Sequence, residues 1–104
     1  MGLKIITARE LKEMISSGRE LLAIFSTKWC GYCRSLYKEV EKKGSGLPIV
    51  VVDISDDGDT AWEEYRIEMV PTAILFKEGS EAARKEPGPD GISLSDLEEF
   101  YSRN

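Results

Sequence analysis

The chain has 104 residues, which suits one domain over residues 1–104 and suffices for a core without a disulfide staple or structural metal. Its 41% apolar and 32% charged composition is that of an ordinary globular protein. A net charge of −5 with no histidine speaks against a nucleic-acid partner, which needs a clustered basic surface. The longest apolar runs, Leu21 to Phe25 and Ile49 to Val52, are too short to cross a bilayer. Residues Met1 to Thr7 lack the h-region of a signal peptide, so a cytoplasmic location away from membranes is expected.

Leu3 to Ile6 is a short strand candidate. Thr7-Ala8-Arg9-Glu10 has the form of a capping box and predicts a helix with Leu11, Met14 and Ile15 on one face, stopped at Gly18. Leu21 to Phe25 is a continuous apolar run of strand length, as expected for a central strand covered on both faces. Trp29-Cys30-Gly31-Tyr32-Cys33 follows directly, and Leu36, Tyr37 and Val40 then keep helical spacing up to Gly44. Pro48 to Ile54, rich in β-branched residues, is the strongest strand signal.

The acidic stretch Asp56 to Asp59 predicts a turn capping a short helix through Tyr65. Val70-Pro71-Thr72 leads into a strand over Ala73 to Phe76, and Lys77 to Ser80 reads as a hairpin turn. Ala82 to Lys85 is a weak edge strand, Pro87 to Gly91 a loop, and Ser93 or Ser95 caps a last helix carrying Leu97, Phe100 and Tyr101. The order βαβαβα followed by ββα implies an α/β fold with parallel crossovers and a late antiparallel hairpin.

Only two cysteines are present, too few and too close for the framework of a secreted mini-protein. With Cys30 at the first turn of a helix, Cys33 faces the same side three residues on, and the two close a small ring with little backbone movement. The helix N-terminus favours a thiolate through its unpaired N–H groups and partial positive charge, and Lys28 and Arg34 lie nearby. Such a thiolate attacks a disulfide sulfur, and the second thiol resolves the mixed disulfide. Cys30, nearer the helix end, is the expected nucleophile, and Cys33 the resolving thiol. The competing reading is half a zinc site, which without histidine or a third cysteine would need a second chain or carboxylates.

Together these features resemble the thioredoxin family: Trp29-Cys30-Gly31-x-Cys33 after a buried strand, Val70-Pro71-Thr72 about forty residues later, and Phe76-Lys77-Glu78-Gly79 after the next strand. Tyr65-Arg66-Ile67 also looks like the family's run there, and the likeness covers essentially the whole chain. It implies the thioredoxin fold, a mixed five-stranded sheet flanked by four helices. It also implies that Pro71 is the family's cis-proline facing the cysteines, that the Val70 backbone pairs with an extended substrate segment, and that Trp29, Gly31 and Tyr32 contact partners. A plain core aromatic is the alternative for Trp29.

Three positions depart from the family. The buried acid common on its central strand is Ile24 here, and its lysine partner maps to Val51 or Val52. The aromatic usual at Ser26 is missing, and Tyr32 stands where thioredoxins usually have proline, a feature closer to glutaredoxins. A buried carboxylate serves as proton acceptor for a resolving thiol, so the usual relay is absent. Asp53 is a candidate substitute, against the blander reading of a capping or solvated aspartate.

The resulting expectation is a monomeric, cofactor-free protein-disulfide reductase in electron transport and cell redox homeostasis, recycled by a thioredoxin reductase-type flavoprotein. The alternatives are a glutaredoxin-like enzyme using glutathione, suggested by Tyr32 alone, a binding module whose cysteines are incidental, and a zinc-bridged dimer.

Overall fold

The computed structural model describes residues 3–56 and 60–104. Strand β1 (Ile5–Ile6) is two residues long, shorter than the predicted run from Leu3. Thr7 then turns the chain into helix α1 (Ala8–Ser16): its Oγ1 accepts the Glu10 N–H at 3.1 Å while Glu10 Oε1 accepts the Thr7 N–H at 3.1 Å. Such a cap satisfies two otherwise orphaned donors and contributes about 1 kcal/mol. Strand β2 (Leu21–Ser26) is buried at all six positions, as a doubly covered strand must be.

Helix α2 (Gly31–Lys43) follows, and strand β3 (Ile49–Asp53) returns parallel to β2. The predicted capping of the next helix falls partly on residues 57–59, outside the described residues. The helix itself, α3 (Ala61–Glu64), has Thr60 at its N-cap without a side-chain bond. Strand β4 (Thr72–Lys77) and strand β5 (Ser80–Lys85) form the late hairpin, its two-residue turn made by Glu78 (φ 51°) and Gly79 (φ 85°). Two consecutive left-handed residues match the twist of the strands they join. Ser93, not Ser95, caps helix α4 (Leu94–Ser102), in a second capping box with Asp96.

The sheet order is β1-β3-β2-β4-β5, with β1, β3 and β2 parallel and β4 and β5 antiparallel. Period-two alternation divides its residues between two layers. Ala23, Phe25, Val50, Val52 and Ile74 pack with Leu11 of α1 and Ala61 of α3. Leu22, Ile24, Ala73 and Leu75 pack on the other face with Leu36 and Val40 of α2 and Leu94 and Leu97 of α4. This is the expected five-stranded, four-helix architecture.

Glu39 joins the two helices of the second layer. Its Oε1 accepts the Leu94 N–H at 2.7 Å, and its Oε2 meets Lys43 Nζ at 3.2 Å. The Leu94 N–H, and then Lys43, hold its carboxyl below the ordinary glutamate range. A depressed pKa stabilises the fold above the unfolded-state value, and the contribution is lost as pH falls through the folded one. Urea unfolding of Glu39→Gln should therefore fall short of the parent most at pH 7, with the gap closing toward pH 3. A gap independent of pH would assign the loss to packing rather than charge.

Candidate active site

Strand β2 ends at Ser26, and the chain crosses the sheet edge through Thr27, Lys28 and Trp29 before α2 begins. Cys30 is the N-cap of α2, one position outside the helix where the sequence placed it in the first turn. The Cys33 N–H donates to Cys30 Sγ at 3.1 Å, one of the free donors every helix start carries. The two cysteines are joined in a disulfide with Cα atoms 5.2 Å apart. Cys30 is 8% exposed and Cys33 0%, so the pair has one accessible sulfur and one sealed beneath it.

Positive charge is placed close by. Arg34 Nη1 donates to the Lys28 carbonyl at 3.2 Å, holding the guanidinium against the loop that presents Cys30. The Lys28 N–H donates to Ser55 Oγ at 2.7 Å, and Ser55 in turn gives both its hydroxyl and its N–H to Asp53 Oδ1, at 2.5 and 2.9 Å. The active loop is thus tied to the end of β3.

The loop before β4 supplies the opposite wall. The Val70–Pro71 bond is cis, as the family resemblance implied, and the Val70 carbonyl oxygen lies 3.8 Å from Cys30 Sγ. Thr72 Oγ1 donates to the Met69 carbonyl at 2.6 Å and ties this turn together. Around the cysteines, Trp29 is 66% exposed, Met69 57% and Tyr32 53%. Trp29 is therefore not a core aromatic. Gly31 adds no bulk between the sulfurs, and a Cβ built there points into open space.

Sequence reasoning missed Met69 and Gly91. Met69 directly precedes the Val-Pro pair, so its position was a signal. Gly91 carried none: it had been read only as loop. It has φ +82°, and a Cβ there would sit 2.9 Å from the Tyr32 Cβ, so the loop before α4 can back the Tyr32 side chain only with glycine.

The departures are settled by register. Ile24 pairs with Val51, not Val52, across β2 and β3, and with Ala73 across β2 and β4. One step further along the same face, Ser26 pairs with Asp53. Asp53 is half-buried and lines an open groove of about 920 Å³ together with Trp29, Lys28, Ser55, Arg9 and Lys12; neither cysteine lines it.

The thioredoxin family model matches residues 2–100. Over 84 residues the chain is 38% identical to the thioredoxin of Chlamydia pneumoniae, covering 78% of this chain and 80% of that protein. Over 97 residues it is 34% identical to the thioredoxin of Chlamydia trachomatis, covering 90% and 93%. Among solved structures, the thioredoxin of Fasciola hepatica matches with a TM-score of 0.76 and 28% identity over 97% of this chain and 98% of that one.

Proposed function

We propose that this chain, which belongs to the thioredoxin family, attacks substrate disulfides with Cys30 and resolves the product with Cys33. The chain is a thiol–disulfide oxidoreductase acting by dithiol exchange. The observation that carries the division of roles is the exposure of Cys30 at 8% against 0% for Cys33. In the reduced protein the Cys30 thiolate attacks one sulfur of a protein disulfide and expels the other as a thiolate. Cys33, having lost its proton, attacks Cys30 Sγ, closes the intramolecular disulfide and releases the second substrate thiolate. Both released thiolates take up protons, so the substrate leaves as a dithiol and this chain as the disulfide.

The surface around Cys30 supports a protein substrate. Trp29, Tyr32 and Met69 offer an exposed apolar collar, and Gly31 leaves the approach to the sulfur open. Val70, just before Pro71, has a backbone carbonyl beside Cys30, placed to pair with an extended segment by strand addition. On this reading the protein is a single-domain cytoplasmic monomer, recycled by a thioredoxin reductase-type flavoprotein, in electron transport and redox homeostasis.

Insulin reduction driven by NADPH and such a reductase is expected to exceed the glutathione-coupled rate at least tenfold. A redox titration should give a midpoint near thioredoxin's, about −270 mV. Equal rates with glutathione would favour the glutaredoxin-like reading, and a midpoint near about −120 mV would make the pair an oxidant.

A further inference from the structure

The layer beneath the first two turns of α2 holds polar groups where the rest of that layer is apolar. Alternation along β2 sends Leu22, Ile24 and Ser26 to the α2 side, and alternation along β3 sends Ile49, Val51 and Asp53 there. The paired positions Ile24–Val51 are dry. The next pair, Ser26–Asp53, is polar and lies nearer the end of the sheet from which Cys30 and Cys33 emerge.

Above this pair, α2 contributes Tyr37, four residues after Cys33 and so on the same helical face. Helical side chains lean over the turn N-terminal to their own Cα, which for Tyr37 is the turn holding Cys33. The Tyr37 hydroxyl is sealed from solvent and has no hydrogen-bond partner among the described residues. Ser26 is its polar neighbour but does not reach hydrogen-bond geometry, and the Asp53 carboxylate is close enough to act on it electrostatically. A buried hydroxyl left unpaired costs about 1–3 kcal/mol, an expense that makes sense where a partner arrives in another state of the reaction.

We propose that Tyr37 and Ser26 form a hydroxyl relay that carries the Cys33 proton to Asp53 during resolution of the mixed disulfide. This rests on the dithiol reading above. The Cys33 thiol passes its proton to the hydroxyl pair, each of which gives up one proton as it accepts another, and Asp53 takes the last one. The Cys33 thiolate then forms the bond to Cys30 Sγ, the bond from Cys30 to the substrate sulfur breaks, and the leaving thiolate is protonated. Asp53 returns its proton through the groove it lines. Tyr37 and Ser26 hand the proton on and are neutral before and after the transfer.

The ionisation behaviour of Tyr37 agrees with that role. Burial pushes its phenol above the ordinary range, Ser26 opposes this and Asp53 adds to it, so the group remains a donor and cannot be the final base. The charged groups facing Asp53 across the groove are Arg9 and Lys12 of α1, Lys28 of the active loop, Asp56 after β3, and Glu64 of α3.

The reduced protein mixed with 5,5′-dithiobis(2-nitrobenzoate) releases one thionitrobenzoate when Cys30 attacks and a second when Cys33 resolves, so stopped flow separates the steps. Asp53→Asn should slow the second release on the order of a hundredfold and remove the acid limb of its pH profile, with the first release unchanged. Tyr37→Phe should slow the second release about tenfold, and the double variant should be no slower than Asp53→Asn, because both changes interrupt one path. Ser26→Ala gives an independent arm should Tyr37→Phe lose its native circular dichroism. A second release in Tyr37→Phe and Ser26→Ala with the parent rate and pH profile would overturn the relay, as would equal slowing of both releases. Loss of the first release in the parent protein itself would overturn the dithiol reading, and the relay with it.

Discussion

Replacing Cys30 with serine should abolish insulin reduction, lowering the rate on the order of a thousandfold or more, while Cys33→Ser should instead trap the substrate. The asymmetry follows from where the two sulfurs sit. Cys30 is the N-cap of α2, reachable from solvent, and takes an N–H bond from Cys33 at 3.1 Å. A sulfur there gains a charge-assisted bond and the positive end of the helix dipole when it ionises. Serine has no comparable anion at neutral pH and forms no mixed disulfide. Cys33 is wholly buried, so its removal leaves the first step intact and blocks the second. Mass spectrometry of Cys33→Ser after exposure to a disulfide-containing protein should find the adduct on Cys30. An adduct on Cys33 in Cys30→Ser, with activity retained, would reverse the assignment.

The second large effect is expected at Ile24. Restoring the family's usual acid with Ile24→Asp places a carboxyl at a position 0% exposed, opposite Val51 and Ala73 and packed among Leu22, Leu36 and Leu75. No cationic partner stands across the strands, since the register puts Val51 there. A loss of about 3–5 kcal/mol at pH 7 is expected from the buried charge and the lost apolar volume. Ile24→Asn, similar in shape and not titratable, separates the two causes. Burial raises the folded-state pKa of the introduced carboxyl above its unfolded value of about 3.9. Stability relative to Ile24→Asn is then retained below about pH 3.9 and lost as pH rises toward the folded pKa. Urea unfolding followed by tryptophan fluorescence at pH 4 and pH 7 measures that gap. A gap of the same size at both values would mean that the carboxyl reaches water.

How far each feature could be read in the chain depends on how local its cause is. The cap at Thr7 rests on residues three apart, and the Glu78–Gly79 turn on two neighbours, so both were legible in the letters. The burial of Leu21 to Phe25 on both faces was legible too, because a strand covered on both faces cannot alternate, whereas the burial of the polar Ser26 that ends β2 was not. Ser93 against Ser95 was not, since either serine begins an acceptable capping pattern and only the docking of Leu94 against Glu39 separates them. Gly91 behind Tyr32 joins residues far apart in sequence, and a lone glycine in a loop signals nothing of what it faces.

The chemistry divides along the same line. The sequence by itself determined that two thiols share the start of a helix after a buried strand, because three-residue spacing and a strand-to-helix junction are properties of neighbouring residues. It also determined that the central strand lacks an acid at Ile24. Only the tertiary structure decided that Cys33 is wholly sealed beneath Cys30, which residue opposes Ile24, and that Ser26, Asp53 and the Tyr37 hydroxyl share one layer. Strand register and helix docking set those relations, and they are fixed by packing between segments that no local pattern connects.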